Sequence, residues 1–404
     1  MGLRILQLAP RFIFPMDDGG KIGIANIMKQ FKEQGNDVTF FCFSDEDIPE
    51  KYIIEAEKYA KLIIYPHSTK NSSFRIIKGI INNESIYITK HSNAKIIRIL
   101  DRISDEDEFD IVHADHTCMG PLAYHIKKRK RIPMGLRLHN IEWLIWHRYA
   151  QNLKKWHPKS FFIQNQAYLL RNIEKNMIAK SDVCFPITNK DKDFALDLSP
   201  NANVITASGG VNADEWKPEQ SIERNPYEIV LATIYSWVHN IDGLRWFLDN
   251  VLPAVKKRFP QTKLTLLGKN PPTWLNTYQN LGVDLLGHVP EVQPYYNKAN
   301  LFIVPLFVGS GLRIKILEAM AMELTVITTD LGAEGNVCNE NDGIFRENSA
   351  DDFINRIIKL FENFEATREI GKNARKSVLR NYSWERNVRI MLDNYNKLSA
   401  KSLS

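Results

Sequence analysis

Short apolar runs, each followed by a stretch with helical spacing, recur along the whole chain, and no other feature restricts the fold as much. Strands of a parallel sheet are covered on both faces and read as unbroken apolar runs, and parallel pairing requires a crossover, usually a helix. In the first half such runs are Arg4–Ala9, Val38–Phe43, Asp110–Ala114, Met134–Leu138 and Val183–Ile187. Between the first two, Ile24, Ile27, Met28 and Phe31 fall at i, i+3, i+4 and i+7, and Gly35 follows as a helix stop. The pattern restarts with Glu228–Thr233, Lys263–Leu267, Val283–Leu286, Leu301–Pro305 and Val326–Thr329, with helices expected over Gly243–Lys257 and Ile314–Met322. Such alternation predicts an α/β protein, and 404 residues exceed what a single core usually supports. The expectation is two doubly wound parallel-sheet domains, residues 1–207 and 208–382, hinged near Gly209-Gly210. One amphipathic helix over 383–404 closes the chain.

Several function classes drop out early. The longest apolar run, Leu301–Val308, contains Pro305 and falls far short of the ~18 residues of a membrane span. The opening residues Met1–Pro10 lack the apolar core of a secretory signal. Cys42, Cys118, Cys184 and Cys338 lie far apart, with neither CxxC nor zinc-like spacing, so a cytoplasmic location is expected. The net charge of +6 is carried entirely by the first half. It is too mild, and too poor in interleaved aromatics, for a nucleic-acid footprint.

Ligands of open parallel sheets bind beyond the carboxyl ends of the strands. Gly19-Gly20 stands between the first strand and its helix, where small residues let an anion approach backbone N–H groups. His139 directly follows Met134–Leu138, placed to donate to a developing oxyanion or to act as acid or base. His113, Asp115 and His116 form only a weak metal pattern, and no metal is expected. The sharpest stretch runs from Val308 through Gly309, Ser310, Gly311, Leu312 and Arg313 into Ile314-Lys315-Ile316-Leu317-Glu318. A strand end passes through a glycine loop into a helix, which makes an anion site. Lys315 and Glu318 share a helical face at i, i+3. On a mostly apolar helix such charges require partners or a ligand, and Glu318 lies near enough to accept from a ribose while the loop holds phosphates. Neither GxGxxG nor GxxxxGK[ST] occurs, which argues against NAD and P-loop chemistry. Asp-x-Asp triplets at Asp45, Asp105 and Asp191 lack strand context, and helix capping explains the last.

These residues resemble the family-4-like retaining glycosyltransferases of GT-B fold, the glycosyl transferases group 1 set, over nearly the whole chain. Gly19-Gly20 resembles the family's N-terminal glycine loop, and His139 its N-domain histidine. Ser208-Gly209-Gly210-Val211-Asn212 resembles its interdomain linker, and Gly287-His288-Val289 its segment near the base. Glu318-Ala319-Met320-Ala321 with Val326-Ile327-Thr328-Thr329-Asp330 is similar to its EAMA…PVI-x-T-D signature. Two departures stand out. Ser310 replaces the first of the family's two glutamates, and Ser236-Trp237-Val238-His239-Asn240 replaces its basic pair, a charge that Lys315 and Arg313 would supply.

The resemblance implies two Rossmann-like domains facing a cleft, with the C-terminal helix returning to the first. It further implies a retaining hexosyltransferase of polysaccharide or glycoconjugate synthesis, with no obligatory cofactor beyond its nucleoside-diphosphate sugar. His139, Lys315 and Glu318 would serve catalysis. Gly19, Gly20, Gly309, Ser310, Gly311, Leu312, Arg313 and Val289 would hold the donor, and a glycan or lipid-linked acceptor would bind the first domain. The basic run Lys127–Arg131 and the aromatic stretch Trp143–Trp146 would suit contact with the inner face of a membrane; a solvated charge run and a packed helix are the alternative. A GT-B sugar-nucleotide epimerase and a silent nucleotide-sugar-binding subunit remain the other readings.

Overall fold

In the computed structural model, which describes residues 2–151, 158–235, 238–308 and 311–402, the apolar runs pair as two six-stranded sheets. The first holds β1 (Arg4–Leu8), β2 (Asp37–Ser44), β3 (Lys61–Pro66), β4 (Ile111–Asp115), β5 (Met134–Leu138) and β6 (Val183–Pro186). The second holds β7 (Glu228–Ala232), β8 (Lys263–Leu267), β9 (Val283–Gly287), β10 (Leu301–Val304), β11 (Thr325–Thr328) and β12 (Ile344–Arg346). Every pairing is parallel. The orders are β3-β2-β1-β4-β5-β6 and β12-β11-β10-β7-β8-β9, the same winding twice. Each order reverses once, between β1 and β4 and between β7 and β10, and ligands of such sheets bind beyond the carboxyl ends there.

The helices that bear on function are α1 (Gly19–Glu33), α2 (Ser73–Ile81), α3 (Gly120–Lys130), α4 (Glu142–Gln151), α5 (Pro158–Lys180), α6 (Ile314–Ala321) and α7 (Trp384–Ser402). They and their neighbours cover both faces of each sheet, so alternate strand residues enter different cores: Leu6 and Leu8 one, Ile5 the other. Each such side chain contributes roughly 1.5–3 kcal/mol on burial. The chain divides into two compact units. One runs to Ser208 and takes back the segment from Trp384 onward; the other is Gly209–Ser383. Val388, Met391, Leu392 and Tyr395 of α7 complete the core of the first unit.

Several local expectations change. Gly19 and Gly20 are the first residues of α1, not a loop, because Asp18 caps the helix by accepting from the Lys21 amide at 3.0 Å. The helix expected over Gly243–Lys257 is two, Val238–Asn250 and Leu252–Arg258, since Pro253 cannot continue the first and suits the opening turn of the second. All four cysteines are buried and free. Thr188 caps the helix Asn189–Leu198 by accepting from the Asp191 amide at 3.0 Å, which accounts for that triplet. Among the described residues no helix is long and apolar enough to cross a membrane.

Candidate active site

In the first unit, β4 and β5 bring His113, Asp115 and Arg137 to one sheet face, with Asp115 paired laterally to Arg137 and His139 just beyond. Gln7 of β1 lies beside His113 in the same row. A polar row inside a buried sheet must satisfy itself. The buried Asp115 carboxylate accepts from Gln7 Nε2 at 2.6 Å and lies 3.3 Å from His139 Nε2, 3.5 Å from His113 Nε2 and 3.7 Å from Arg137 Nη1. Burial alone would raise this carboxyl, but the interaction with His113 prevails and holds it well below the usual carboxylate range. His113 Nδ1 in turn meets the Tyr395 hydroxyl of α7 at 2.6 Å. That close approach needs Gly135, where a Cβ would lie 2.0 Å from the Tyr395 oxygen.

His139 sits at the open end of this row with its side chain 5 % exposed. Burial, then Arg137, lowers its pKa to about 4 despite Asp115, so the imidazole is neutral near pH 7. Arg137 Nη1 approaches His139 Nε2 at 2.8 Å. A guanidinium only donates, so Nε2 accepts and the proton resides on Nδ1. No described residue bonds Nδ1, which makes it the donor offered to a ligand. The His116 ring stacks on His139 at 3.7 Å between centroids, from a backbone held at φ 73°. Arg137 itself is 1 % exposed, and its guanidinium carbon lies 6.0 Å from the Trp384 ring centroid. Glu174 fixes the next helix: it accepts from Thr117 Oγ1 at 2.9 Å and caps α4 through the amides of Glu142 and Trp143 at 3.0 and 2.9 Å.

In the second unit the switch point leads from β10 into α6. Gly311 takes φ +87° and donates its amide to Glu334 Oε2 at 3.3 Å, while Arg313 Nη1 bonds the Gly311 carbonyl at 2.6 Å. The Thr328-Thr329 pair buttresses the loop: Thr328 Oγ1 donates to the Val304 carbonyl at 2.8 Å, and Thr329 Oγ1 to that of Leu306. Lys315 reaches across the reversal and donates to the Ala232 carbonyl at the end of β7, at 3.3 Å. It makes no ion pair with Glu318 within 4 Å among the described residues, so the i, i+3 salt bridge is absent. No described donor reaches Glu318 either. Burial, then Glu215, pushes Glu318 up to about 8, and burial, then Arg313, brings Lys315 down to about 8. Both charged forms are thus disfavoured until something neutralises them. Leu312 and Val289 are half-buried against the core of this unit, and the adjoining His288 is exposed. Gly309 and Ser310 lie outside the described residues. Among those described, no three His, Cys, Asp or Glu side chains gather as a metal site.

Two family descriptions match the sequence: Glycosyltransferase Family 4 over residues 18–215 and Glycosyl transferases group 1 over residues 228–363. The chain belongs to the group 1 glycosyltransferases. It is 22 % identical over 401 residues to an uncharacterized 44.6 kDa protein in the cps region of Klebsiella pneumoniae, covering 94 % of this chain and 96 % of that one. It is 36 % identical over 113 residues to the Staphylococcus aureus capsular polysaccharide biosynthesis glycosyltransferase CapM, which is 26 % of this chain and 30 % of CapM. The crystal structure of Anabaena HepE in complex with UDP and glucose superposes with a TM-score of 0.67 at 14 % identity, over 98 % of this chain and all of HepE. The fold is GT-B and the protein is a glycosyltransferase.

Within this glycosyltransferase the structure gathers His139 and the amino end of α1, whose Gly23 would place a Cβ 3.3 Å from His139 Cε1. It separately gathers Gly311, Arg313, Lys315 and Glu318. Sequence reading passed over Arg137, Gln7 and Tyr395 as members of the histidine row. A charged residue inside the apolar run Met134–Leu138 was the signal for Arg137; nothing local marks Tyr395. The basic run Lys127–Arg131 is largely spent on structure. Lys127 pairs with Asp182 at 2.8 Å, and Arg129 and Lys130 with Asp105 at 2.7 and 3.1 Å. Trp143 and Trp146 pack against the core.

Proposed function

We propose that this glycosyltransferase moves a hexose-type sugar, with retention of configuration, from a nucleoside-diphosphate sugar to a glycan or lipid-linked acceptor. The product would be a cell-surface polysaccharide or glycoconjugate. The observation that carries the reading is the pair Lys315 and Glu318, set at a strand-to-helix switch point without each other as partners. A nucleoside diphosphate supplies what both lack: negative charge for Lys315 and ribose hydroxyls for Glu318. Neutralising the diphosphate stabilises it as a leaving group, the electrostatic contribution that usually dominates such transfers. His139 offers Nδ1–H to the donor sugar or its phosphate. No obligatory metal is proposed. The capsular polysaccharide biosynthesis of CapM and the UDP and glucose bound to HepE support the class of donor and pathway. A lipid-linked acceptor would bring the protein from the cytoplasm to the inner face of the membrane.

The test is release of nucleoside diphosphate from a panel of nucleotide sugars, with and without acceptor extract, followed by NMR of the product's anomeric coupling. Acceptor-dependent release with retained configuration is expected. Conversion of the donor sugar without release would make the protein an epimerase; binding with no turnover would make it a silent subunit.

A further inference from the structure

Large apolar side chains left exposed in the first unit concentrate on α2 and α5. Ile77, Ile80 and Ile81 stand at i, i+3 and i+4 on α2, and Phe161 and Tyr168 at i and i+7 on α5. Each is more than half exposed, and Phe161 and Ile81 reach 78 % and 76 %. The two stripes adjoin. Asn165, on the same face of α5 as Phe161 and Tyr168, donates to Asn83 Oδ1 at 3.1 Å, two residues beyond Ile81. Next to it Gln166 is tied to the same turn, accepting from the Ile86 amide at 2.9 Å and donating to the Glu84 carbonyl at 3.2 Å. Scattered exposed apolar residues need no explanation, but a contiguous patch marks an interaction surface.

On α2 and α5 themselves the exposed charge has one sign. The exposed charged side chains of α2 and α5 are Lys78, Lys159, Arg171, Lys175 and Lys180; the single carboxylate of α5, Glu174, is buried as the cap of α4. Glu84, in the turn after α2, is the exposed carboxylate nearby. Apolar side chains ringed by cations fit the boundary of an anionic bilayer, where acyl chains meet negative headgroups. A second copy of the same face would instead bring like charges together. We propose that the α2–α5 face docks the protein on an anionic lipid surface, the three isoleucines with Phe161 and Tyr168 entering the interface and the flanking cations holding headgroups. The inference rests on the membrane-side reading above and assigns it to a face other than the Lys127–Arg131 run, in which Lys127, Arg129 and Lys130 are paired internally.

Sedimentation of the full chain with vesicles of phosphatidylglycerol and phosphatidylcholine, and of phosphatidylcholine alone, tests it at low and high salt. Wild type should pellet with the anionic vesicles at low salt and be released at high salt. Combined Ile77→Ser, Ile80→Ser and Ile81→Ser should cut partition at least ~10-fold. Lys78→Ser and Lys175→Ser should cut it about fivefold each, whereas Lys128→Ser with Arg131→Ser should change it less than twofold. Because the native cysteines are buried, a polarity-sensitive dye on Ile81→Cys reports insertion directly and should shift to the blue on anionic vesicles. If wild type pellets but the triple-serine variant pellets equally, the face is wrong while membrane association stands. If wild type stays in the supernatant, membrane docking is overturned, and nucleoside diphosphate release with a soluble acceptor extract decides the transferase reading independently.

Discussion

Asp115 and Glu318 are both carboxylates at the switch point of a six-stranded parallel sheet, yet burial has opposite outcomes for them. Around Asp115 the chain supplies Gln7, His113 and Arg137, and the carboxyl stays ionised far below its ordinary range. Around Glu318 it supplies no hydrogen-bond donor among the described residues, and the carboxyl rises to about 8. The first arrangement sets charge against charge around a neutral imidazole, with Gln7 Oε1, His113 Nε2 and Arg137 Nε left without hydrogen-bond partners among the described residues. The second is an unfinished one, whose disfavoured charges are relieved only by what binds. One fold thus carries a carboxylate compensated by its own chain and a carboxylate left for a ligand to compensate.

The largest expected effect breaks or upholds this contrast directly. Asp115→Ala leaves Arg137 buried without its counter-charge, which should cost about 3–5 kcal/mol in urea unfolding. A loss under ~1 kcal/mol would mean that Asp115 does not compensate the buried Arg137. Next, His139→Ala should lower turnover about 100-fold or more while nucleotide affinity barely changes; retained turnover would make His139 structural. Third, Glu318→Ala and Lys315→Met should each weaken nucleoside-diphosphate binding roughly 10- to 100-fold in calorimetry, from ~1.5–3 kcal/mol per charged hydrogen bond. Neither should lower the melting temperature of the free protein, the opposite of Asp115→Ala. Unchanged affinity with an intact fold sinks the assignment of the nucleotide to α6.

The smallest effect is in pH. His139 has a folded pKa of about 4, below its ordinary 6.5, so its contribution is present above about 6.5 and lost as pH falls toward 4. Glu318 has a folded pKa of about 8, above its ordinary 4.5, so its contribution is present below about 4.5 and lost as pH rises toward 8. His139→Gln should flatten only the acid limb of urea stability, and Glu318→Gln only the alkaline limb. Equal effects of both variants on one limb would erase the distinction between the sites.

Central strands were legible because a strand covered on both faces is apolar throughout, as in Leu301–Val304. The edges were not. β3 is half-exposed over Leu62–Tyr65, and β12 has three residues, so neither forms a clean run. At the sites, legibility followed locality. Glu318 and Lys315 show themselves as charges on an apolar helix, and His139 as a polar residue at a strand end. What surrounds them is set by lateral pairing: Arg137 meets Asp115 across strands, and Tyr395 meets His113 from 282 residues away. The internal pairing of Lys127, Arg129 and Lys130 was hidden for the same reason, since Asp105 and Asp182 arrive from other elements.

The late arrival of Tyr395 bears on how the molecule is made. A ribosome releases everything through Ser208 long before it reaches Trp384, so the nascent first unit must wait with the core around Ile5, Ile111, Val183 and Phe185 incomplete. Until α7 emerges, His113 has no hydroxyl to hold it and Arg137 no indole beside it. The protein therefore matures in the reverse of its reading order: the unit begun first is finished last, and its histidine row is ready only when the final helix of the chain has docked.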